Sequence, residues 1–129
     1  MSLEEAFETR FLNVDLDVRV QYGLEELLKS LKPFVIVLNN TLNDAAVELN
    51  QDYASVEDTV EKFVDLVLAL PPSARVIWDR CDFRGFDIGI QAGTEPHATH
   101  FTLSSRAVSL LASVQAEIAV TVYAPPRTQ

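Results

Sequence analysis

The stretch Leu12-Asn-Val-Asp-Leu-Asp-Val-Arg-Val-Gln-Tyr22 alternates between apolar and polar side chains without a fault. A period of two residues is typical of a β-strand that has one face in a core and the other facing water or a partner. The polar positions of the stretch are Asn13, Asp15, Asp17, Arg19 and Gln21. We therefore predict a strand over residues 12–22 that presents this polar row on an uncovered face of a sheet.

The segments on either side of this strand carry helical and strand patterns in mixed order. Capping residues, prolines and apolar residues three or four positions apart predict helices over residues 2–11, 24–32, 56–70 and 73–81, and one that begins at Ser104 or Ser105. Apolar runs and alternation predict strands over residues 34–38, 45–50, 86–92, 99–103 and 117–123. Residues 74–78 also fit a strand, so two interpretations of this segment stay open.

This mixture predicts one α+β domain over residues 1–129, with a mixed, mostly antiparallel sheet of five or six strands and helix 56–70 across one face. The continuously apolar run 34–38 predicts a strand buried on both faces. Residues 99–103 are expected to form a hairpin with the preceding strand. Trp78 is expected to be mostly buried. The predicted core comprises Leu16, Val18, Val20, Val35, Val37, Val60, Phe63, Val64, Val67, Ile88, Ile90, Leu111, Val120 and Val122.

The net charge of −9 is unevenly placed along the 129 residues. Residues 1–70 hold 14 Asp and Glu against 5 Lys and Arg, whereas residues 71–129 hold 5 of each kind. An acidic half repels phosphate backbones, which argues against nucleic-acid binding, and it attracts a basic protein. The alternative interpretation is that the charge serves solubility alone.

The cellular location is predicted from three observations. The single Cys81 has no partner for an internal disulfide, which fits a reducing compartment. Residues 1–5 lack the basic start and apolar run of a signal peptide. The chain also lacks an apolar stretch approaching the roughly 20 residues that span a bilayer. We therefore expect a cytoplasmic protein with no membrane partner.

Two carboxylates on the alternating strand form the first candidate site. Asp15 and Asp17 project from the same face, about 7 Å apart at the rise of a strand. Paired carboxylates can do acid–base chemistry or bind cations when they are buried and have a third partner. Because Asn13, Arg19 and Gln21 flank them, an ordinary solvated sheet face is one interpretation. A protein-binding face is favoured over catalysis or metal binding, because the polar row is long and continuous.

The segment from Trp78 to Arg84 forms the second candidate site. On a helix, Arg75, Asp79 and Asp82 share one side, and Arg80 and Arg84 are four residues apart. Two arginines so placed can hold a carboxylate or phosphate. The segment therefore suggests an enzyme or small-molecule-binding protein with an anion site at Arg80 and Arg84 and with Asp79 or Asp82 as general base. The alternative is a surface helix whose charges pair with each other.

Neither a metal site nor a cofactor site is predicted. His97 and His100 are three residues apart, but they lack the flanking signature of a zinc site. Cys81 has no base evident in the sequence, so a buried, unreactive thiol is the expected role. Ser104 and Ser105 fit a helix cap, because no Gly-x-Ser-x-Gly motif surrounds them.

Two blocks of the sequence resemble small uncharacterised bacterial domains. They are Leu70-Pro-Pro-Ser-Ala-Arg-Val-Ile-Trp78 and Phe86-Asp-Ile-Gly-Ile-Gln-Ala-Gly93. The last predicted helix and strand are also similar to the ends of such domains. Some small acidic proteins of this kind are immunity proteins against secreted toxins. The resemblance implies a bacterial, non-enzymatic module and assigns no functional residues, because it contains no catalytic motif.

These observations favour an acidic protein-binding module, immunity-like or inhibitory, whose partner is a basic protein. Catalysis remains open, with the anion site at Arg80 and Arg84 as the alternative. A homodimer is also expected to be possible, because strand 117–123 carries only Glu117 as a charged residue and would be a vulnerable sheet edge. Burial of Phe7 and Phe11 is a second route to such a dimer.

Overall fold

A computed structural model describes residues 7–125. This part of the chain folds into five strands and four helices, which are β1 Arg10–Arg19, α1 Leu24–Leu31, β2 Val35–Asn40, β3 Asp44–Leu49, α2 Val56–Leu68, α3 Pro72–Asp79, β4 Phe83–Gln91, α4 Ser105–Ser113 and β5 Glu117–Tyr123. None of these helices is long and apolar enough to cross a membrane.

The five strands form one sheet in the order β2-β3-β1-β4-β5. The alternating strand β1 lies at the centre and pairs antiparallel with both β3 and β4. The pair β2 and β3 is also antiparallel, whereas β4 and β5 run parallel and are joined through α4. The predicted α+β class with a mixed, mostly antiparallel sheet is therefore confirmed, with five strands.

The alternation of β1 separates the two faces of the sheet. Its even-numbered residues from Val14 onward are buried, together with an apolar stripe from each of the four helices. Trp78 and Phe63 are among the largest side chains of this core. The helices therefore cover one face, because burying an apolar row and an apolar helix stripe against each other removes both from water. The opposite face, which carries the odd-numbered residues of β1, is left open.

The predicted helix over residues 2–11 is wrong where the structure describes it, and residues 2–6 lie outside the described part. Residues 7–9 are extended, and β1 begins at Arg10. Backbone bonds explain the difference: the Thr94 N–H donates to the Phe7 carbonyl at 2.7 Å, and the Thr9 N–H donates to the Glu95 carbonyl at 3.1 Å. The predicted strand 12–22 ends early, at Arg19, and a bulge between Phe11 and Asn13 turns Leu12 outward.

Three expectations about the sheet are also wrong. Segment 34–38 is not buried on both faces, because β2 is an edge strand and exposes Ile36. Residues 99–103 form no strand, since the neighbour of β4 is the parallel β5. Val120 and Val122 are exposed instead of forming part of the core, because none of the four helices in residues 7–125 covers their strand. The predicted core is otherwise buried, with Val37 partly so.

The two serine caps that the sequence predicts for α2 and α4 are confirmed. Ser55 accepts the Asp58 N–H at 3.0 Å at the start of α2, and Ser104 accepts the Ala107 N–H at 3.1 Å at the start of α4. Such caps satisfy backbone donors that a helix leaves free at its beginning. Segment 73–81 is helical rather than extended, since α3 runs from Pro72 to Asp79.

Candidate functional site

The register of the central strands brings four carboxylates together on the open face. Asp15 lies directly opposite Glu48 on β3 and opposite Asp87 on β4. Asp17 follows two residues along β1 and therefore lies on the same face. We call these four residues, Asp15, Asp17, Glu48 and Asp87, the acidic face. Adjacent strands are about 4.8 Å apart, so the carboxylates are close enough to repel one another.

Neutral side chains donate hydrogen bonds to three carboxylates of the acidic face. The Asn13 side chain donates to Asp15 Oδ1 at 3.1 Å and to Glu48 Oε2 at 2.8 Å. The Thr121 hydroxyl lies 2.8 and 3.0 Å from the two carboxylate oxygens of Asp87. These donors are neutral, so they orient the carboxylates without balancing their charge.

The negative charges of the acidic face are not neutralised by a cation within residues 7–125. Burial, followed in order by the charges of Glu48, Asp17 and Asp87, raises the pKa of Asp15 to about 6. Burial and the charge of Asp87 also raise the pKa of Asp17. Among residues 7–125, no Lys, Arg or His forms an ion pair with any of the four carboxylates. A cation brought to this surface would therefore relieve the repulsion among them.

The predicted member Arg19 does not neutralise the acidic face. Its guanidinium pairs with Asp44 at 2.7 Å, and both side chains are about half exposed. The hydrogen bond that Arg19 donates to Asp44, together with the charge of Asp44, raises the pKa of Arg19. An exposed pair of this kind contributes little stability. Its effect here is to hold the cation at the end of β1, away from Asp15.

Asp15→Asn is expected to stabilise the protein at neutral pH. The folded pKa of Asp15 lies above that of the unfolded chain, so the folded state binds more protons between the two values and loses stability as pH rises through them. The variant should therefore gain about 1 kcal/mol in free energy of unfolding at pH 7.5, after discounting for solvent screening. Urea titrations at pH 7.5 and pH 4.5 measure it, and the gain should shrink at the lower pH.

Asp52→Asn is the matched control, because it removes the same charge from an exposed loop. It should change the free energy of unfolding by less than about 0.5 kcal/mol at either pH. A loss of stability in Asp15→Asn at pH 7.5, or an equal gain in both variants, would contradict the electrostatic account.

The second predicted site is not assembled as a pair of helical arginines. Helix α3 ends at Asp79, so Arg80 lies at its exposed end while Arg84 belongs to β4. Asp79 pairs with Arg75 at 3.1 Å, and Asp82 accepts a hydrogen bond from Gln21 at 2.8 Å. The pairing of Asp79 with Arg75 is the one that helical spacing indicates.

Arg84 binds backbone carbonyls. Its guanidinium donates to the carbonyls of Trp78 at 2.9 Å, Cys81 at 3.0 Å and Gln115 at 3.0 Å. It also lies 6.0 Å from the ring centre of Trp78, whose indole N–H donates to the Val114 carbonyl at 3.0 Å. The donors of Arg84 therefore tie the end of α3 to the end of α4, and they point away from the acidic face.

The remaining candidates show no catalytic arrangement in the part of the chain that the structure describes. Burial raises the pKa of the Cys81 thiol to about 11, which keeps it protonated and unreactive. His97 and His100 are exposed in the loop after β4. Across residues 7–125, no three His, Cys, Asp or Glu side chains are arranged to hold a metal ion.

Half of the acidic face was not identified from the sequence. Alternation indicates that Asp15 and Asp17 share a face, but Glu48 and Asp87 belong to strands far away along the chain. Their only signal is that each lies at a polar position of its own strand. Comparison with known protein families, curated proteins and solved structures finds no match to this chain.

Proposed function

We propose that the protein is a binding module whose acidic face receives the basic surface of a partner protein. The observation that carries this proposal is the group of four adjacent carboxylates on an uncovered sheet face, without a paired cation in residues 7–125. Lys or Arg side chains of a partner would supply the missing charge and lower the repulsion. The sheet fixes the carboxylates in place, so little ordering is required on binding.

The surroundings of the acidic face also suit a protein surface. The residues opposite Asp17 on the neighbouring strands are Ala46 and Gly85, which are small and place little side-chain bulk beside its carboxylate. The Phe83 ring lies across Gly85, and Ile36 lies opposite Glu48 at the edge of the sheet. Both apolar side chains are partly exposed. Apolar groups beside a charged centre add contact area that a basic protein surface can bury.

An immunity-like or inhibitory role in the cytoplasm is the finer form of this proposal. It is supported by the acidic first half of the chain, which attracts a basic partner. In this form the partner is a basic toxin. Electrostatic attraction would steer the toxin onto the acidic face, and the association rate would fall as the salt concentration rises.

We expect the triple variant Asp15→Asn/Asp17→Asn/Asp87→Asn to weaken binding of a cationic probe at least tenfold. The probe is a fluorescein-labelled decalysine peptide, followed by fluorescence anisotropy at low and physiological salt. Affinity of the wild type should increase as pH rises through about 6, because the partner's cations favour the ionised form of Asp15. Added salt should weaken it.

The control variant Glu25→Gln/Glu26→Gln/Asp65→Asn removes three exposed charges from α1 and α2, on the other face of the sheet, and reaches the same net charge. It should weaken the probe's binding less than about twofold if the acidic face is the site. Equal losses in the two variants would reduce the interaction to net charge and refute the proposal. A toxin partner adds one requirement. A basic protein that the immobilised control variant retains from a bacterial extract must not be retained by the triple variant of Asp15, Asp17 and Asp87.

A further inference from the structure

Strand β5 is an unprotected edge of the sheet. Its inner side pairs with β4, and its outer side pairs with no other strand of residues 7–125. Glu117 is the only charged residue of the strand, which contains neither Pro nor a bulge. The opposite edge differs, because β2 has a bulge between Val37 and Asn39 and ends in two asparagines. Bulges and charged residues discourage edge pairing, and β5 has no bulge and a single charge, at its first residue.

The apolar side chains of β5 also remain uncovered. Ile118, Val120 and Val122 are 41%, 59% and 60% exposed, although the β4 residues beside them are buried. They lie on the helix side of the sheet, where α4 packs against α2 and leaves a groove of about 360 Å³. Ile88, Ile90, Phe101, Leu103 and Val56 line the groove together with β5. An apolar row beside an apolar groove is an unusual surface for a monomer.

The backbone of β5 is suited to pair with a second copy of itself. The Tyr123 carbonyl accepts the Ala92 N–H, so the odd-numbered residues of β5 direct their backbone groups toward β4. The backbone N–H and C=O groups of Ile118, Val120 and Val122 consequently point outward, away from β4. With Val120 opposite Val120 of a second copy, Ile118 meets Val122 and about six backbone hydrogen bonds form. All six apolar side chains then share one face, and Glu117 meets Tyr123 instead of another carboxylate.

We infer that two copies of this chain associate about a twofold axis through antiparallel β5 strands, forming one ten-stranded sheet. Charge supports this contact, because residues 71–129 are neutral whereas residues 1–70 carry −9. In this pairing the exposed Ile118, Val120 and Val122 of the two copies lie side by side along the contact, which removes part of their apolar surface from water. The pairing places both acidic faces on one side of the sheet.

The test is sedimentation velocity of the full chain between about 10 and 200 µM. The wild type should reach about 28.8 kDa, twice the 14.4 kDa of one chain. Val120→Lys should remain at 14.4 kDa, because it places two ammonium groups opposite each other. Ile36→Lys is the matched control at the other edge and should still dimerise. A monomeric wild type at 200 µM, or a dimer that survives Val120→Lys but not Ile36→Lys, would overturn the inference.

A covalent test does not depend on Val120→Lys folding. Val120→Cys should form a disulfide-linked dimer on mild oxidation, since residues opposite each other in a hydrogen-bonded pair have Cα atoms about 5.5 Å apart. Ile36→Cys should stay uncrosslinked, and buried Cys81 should not contribute. Equal crosslinking of the two variants would refute the β5 contact. The binding of decalysine to monomeric Val120→Lys is measured as well. This measurement tests the acidic face without the dimer, so the dimer and the proposed function can fail independently.

Discussion

Replacing Arg84 with methionine is expected to lower the free energy of unfolding by about 3 kcal/mol. The guanidinium donates to three backbone carbonyls at the ends of α3 and α4, and methionine removes all three of these hydrogen bonds. Hydrogen bonds to a charged group are among the stronger ones in a protein. Urea denaturation followed by Trp78 fluorescence measures the loss, because the indole lies against the same contacts.

Arg80→Met is the control for this prediction, because Arg80 is exposed and should change the free energy of unfolding by less than about 0.5 kcal/mol. Arg84→Lys should recover only part of the loss, since an ammonium lacks the planar fork that reaches several carbonyls. If Arg84→Met were as stable as the wild type, the guanidinium would not be needed to join the helices. An anion site at Arg84 would then regain support.

Gly93→Ala is expected to cost about 2 kcal/mol, although the substitution adds a single methyl group. A Cβ at Gly93 would lie 2.5 Å from the Glu8 carbonyl carbon, 2.6 Å from the Thr9 nitrogen and even closer to the Phe7 carbonyl oxygen. All three atoms belong to backbone, which cannot rotate away. Hydrogen exchange at the Thr9 and Thr94 amides should accelerate, because their bonds hold residues 7–9 against this loop.

Gly85→Ala is a matched control, since a Cβ there also makes a contact of 2.5 Å. That contact is with the tip of the Phe83 ring, which can swing outward because the side chain is partly exposed. The substitution should therefore cost less than about 1 kcal/mol. Equal losses in the two alanine variants would show that backbone packing at residues 7–9 is not the cause.

The fold could be predicted from the sequence where a local signal decides the structure. Ser55 and Ser104 mark the helix starts correctly, and the alternation around Leu16 identifies the buried face of β1. Val120 and Val122 show the limit of such signals. Alternation predicts that their side chains share a face, but coverage of that face depends on where α4 packs. Contacts between distant elements decide that position, and no periodic pattern records them.

The candidate site likewise contains one part that local sequence signals predict and one part that they do not. Asp15 and Asp17 were identified because two residues of one strand fix their own geometry. Glu48 and Asp87 join them only through strand register, which is set by pairing across the whole sheet. Arg84 follows the same rule, because its spacing from Arg80 suits a helix, yet the chain enters β4 between them. Its carbonyl partners are backbone atoms, which leave no residue-specific signal in a sequence.

The position of β1 at the centre of the sheet has a consequence for synthesis on the ribosome. β1 emerges first, but its neighbour β4 begins only at Phe83. At about 5–20 residues per second, the side of β1 that will pair with β4 stays open for several seconds. A nascent chain at this stage presents Val14, Leu16 and Val18 beside an unpaired backbone, which is a substrate for chaperones and for aggregation. Slow codons between β3 and β4 should therefore lower the yield of folded protein.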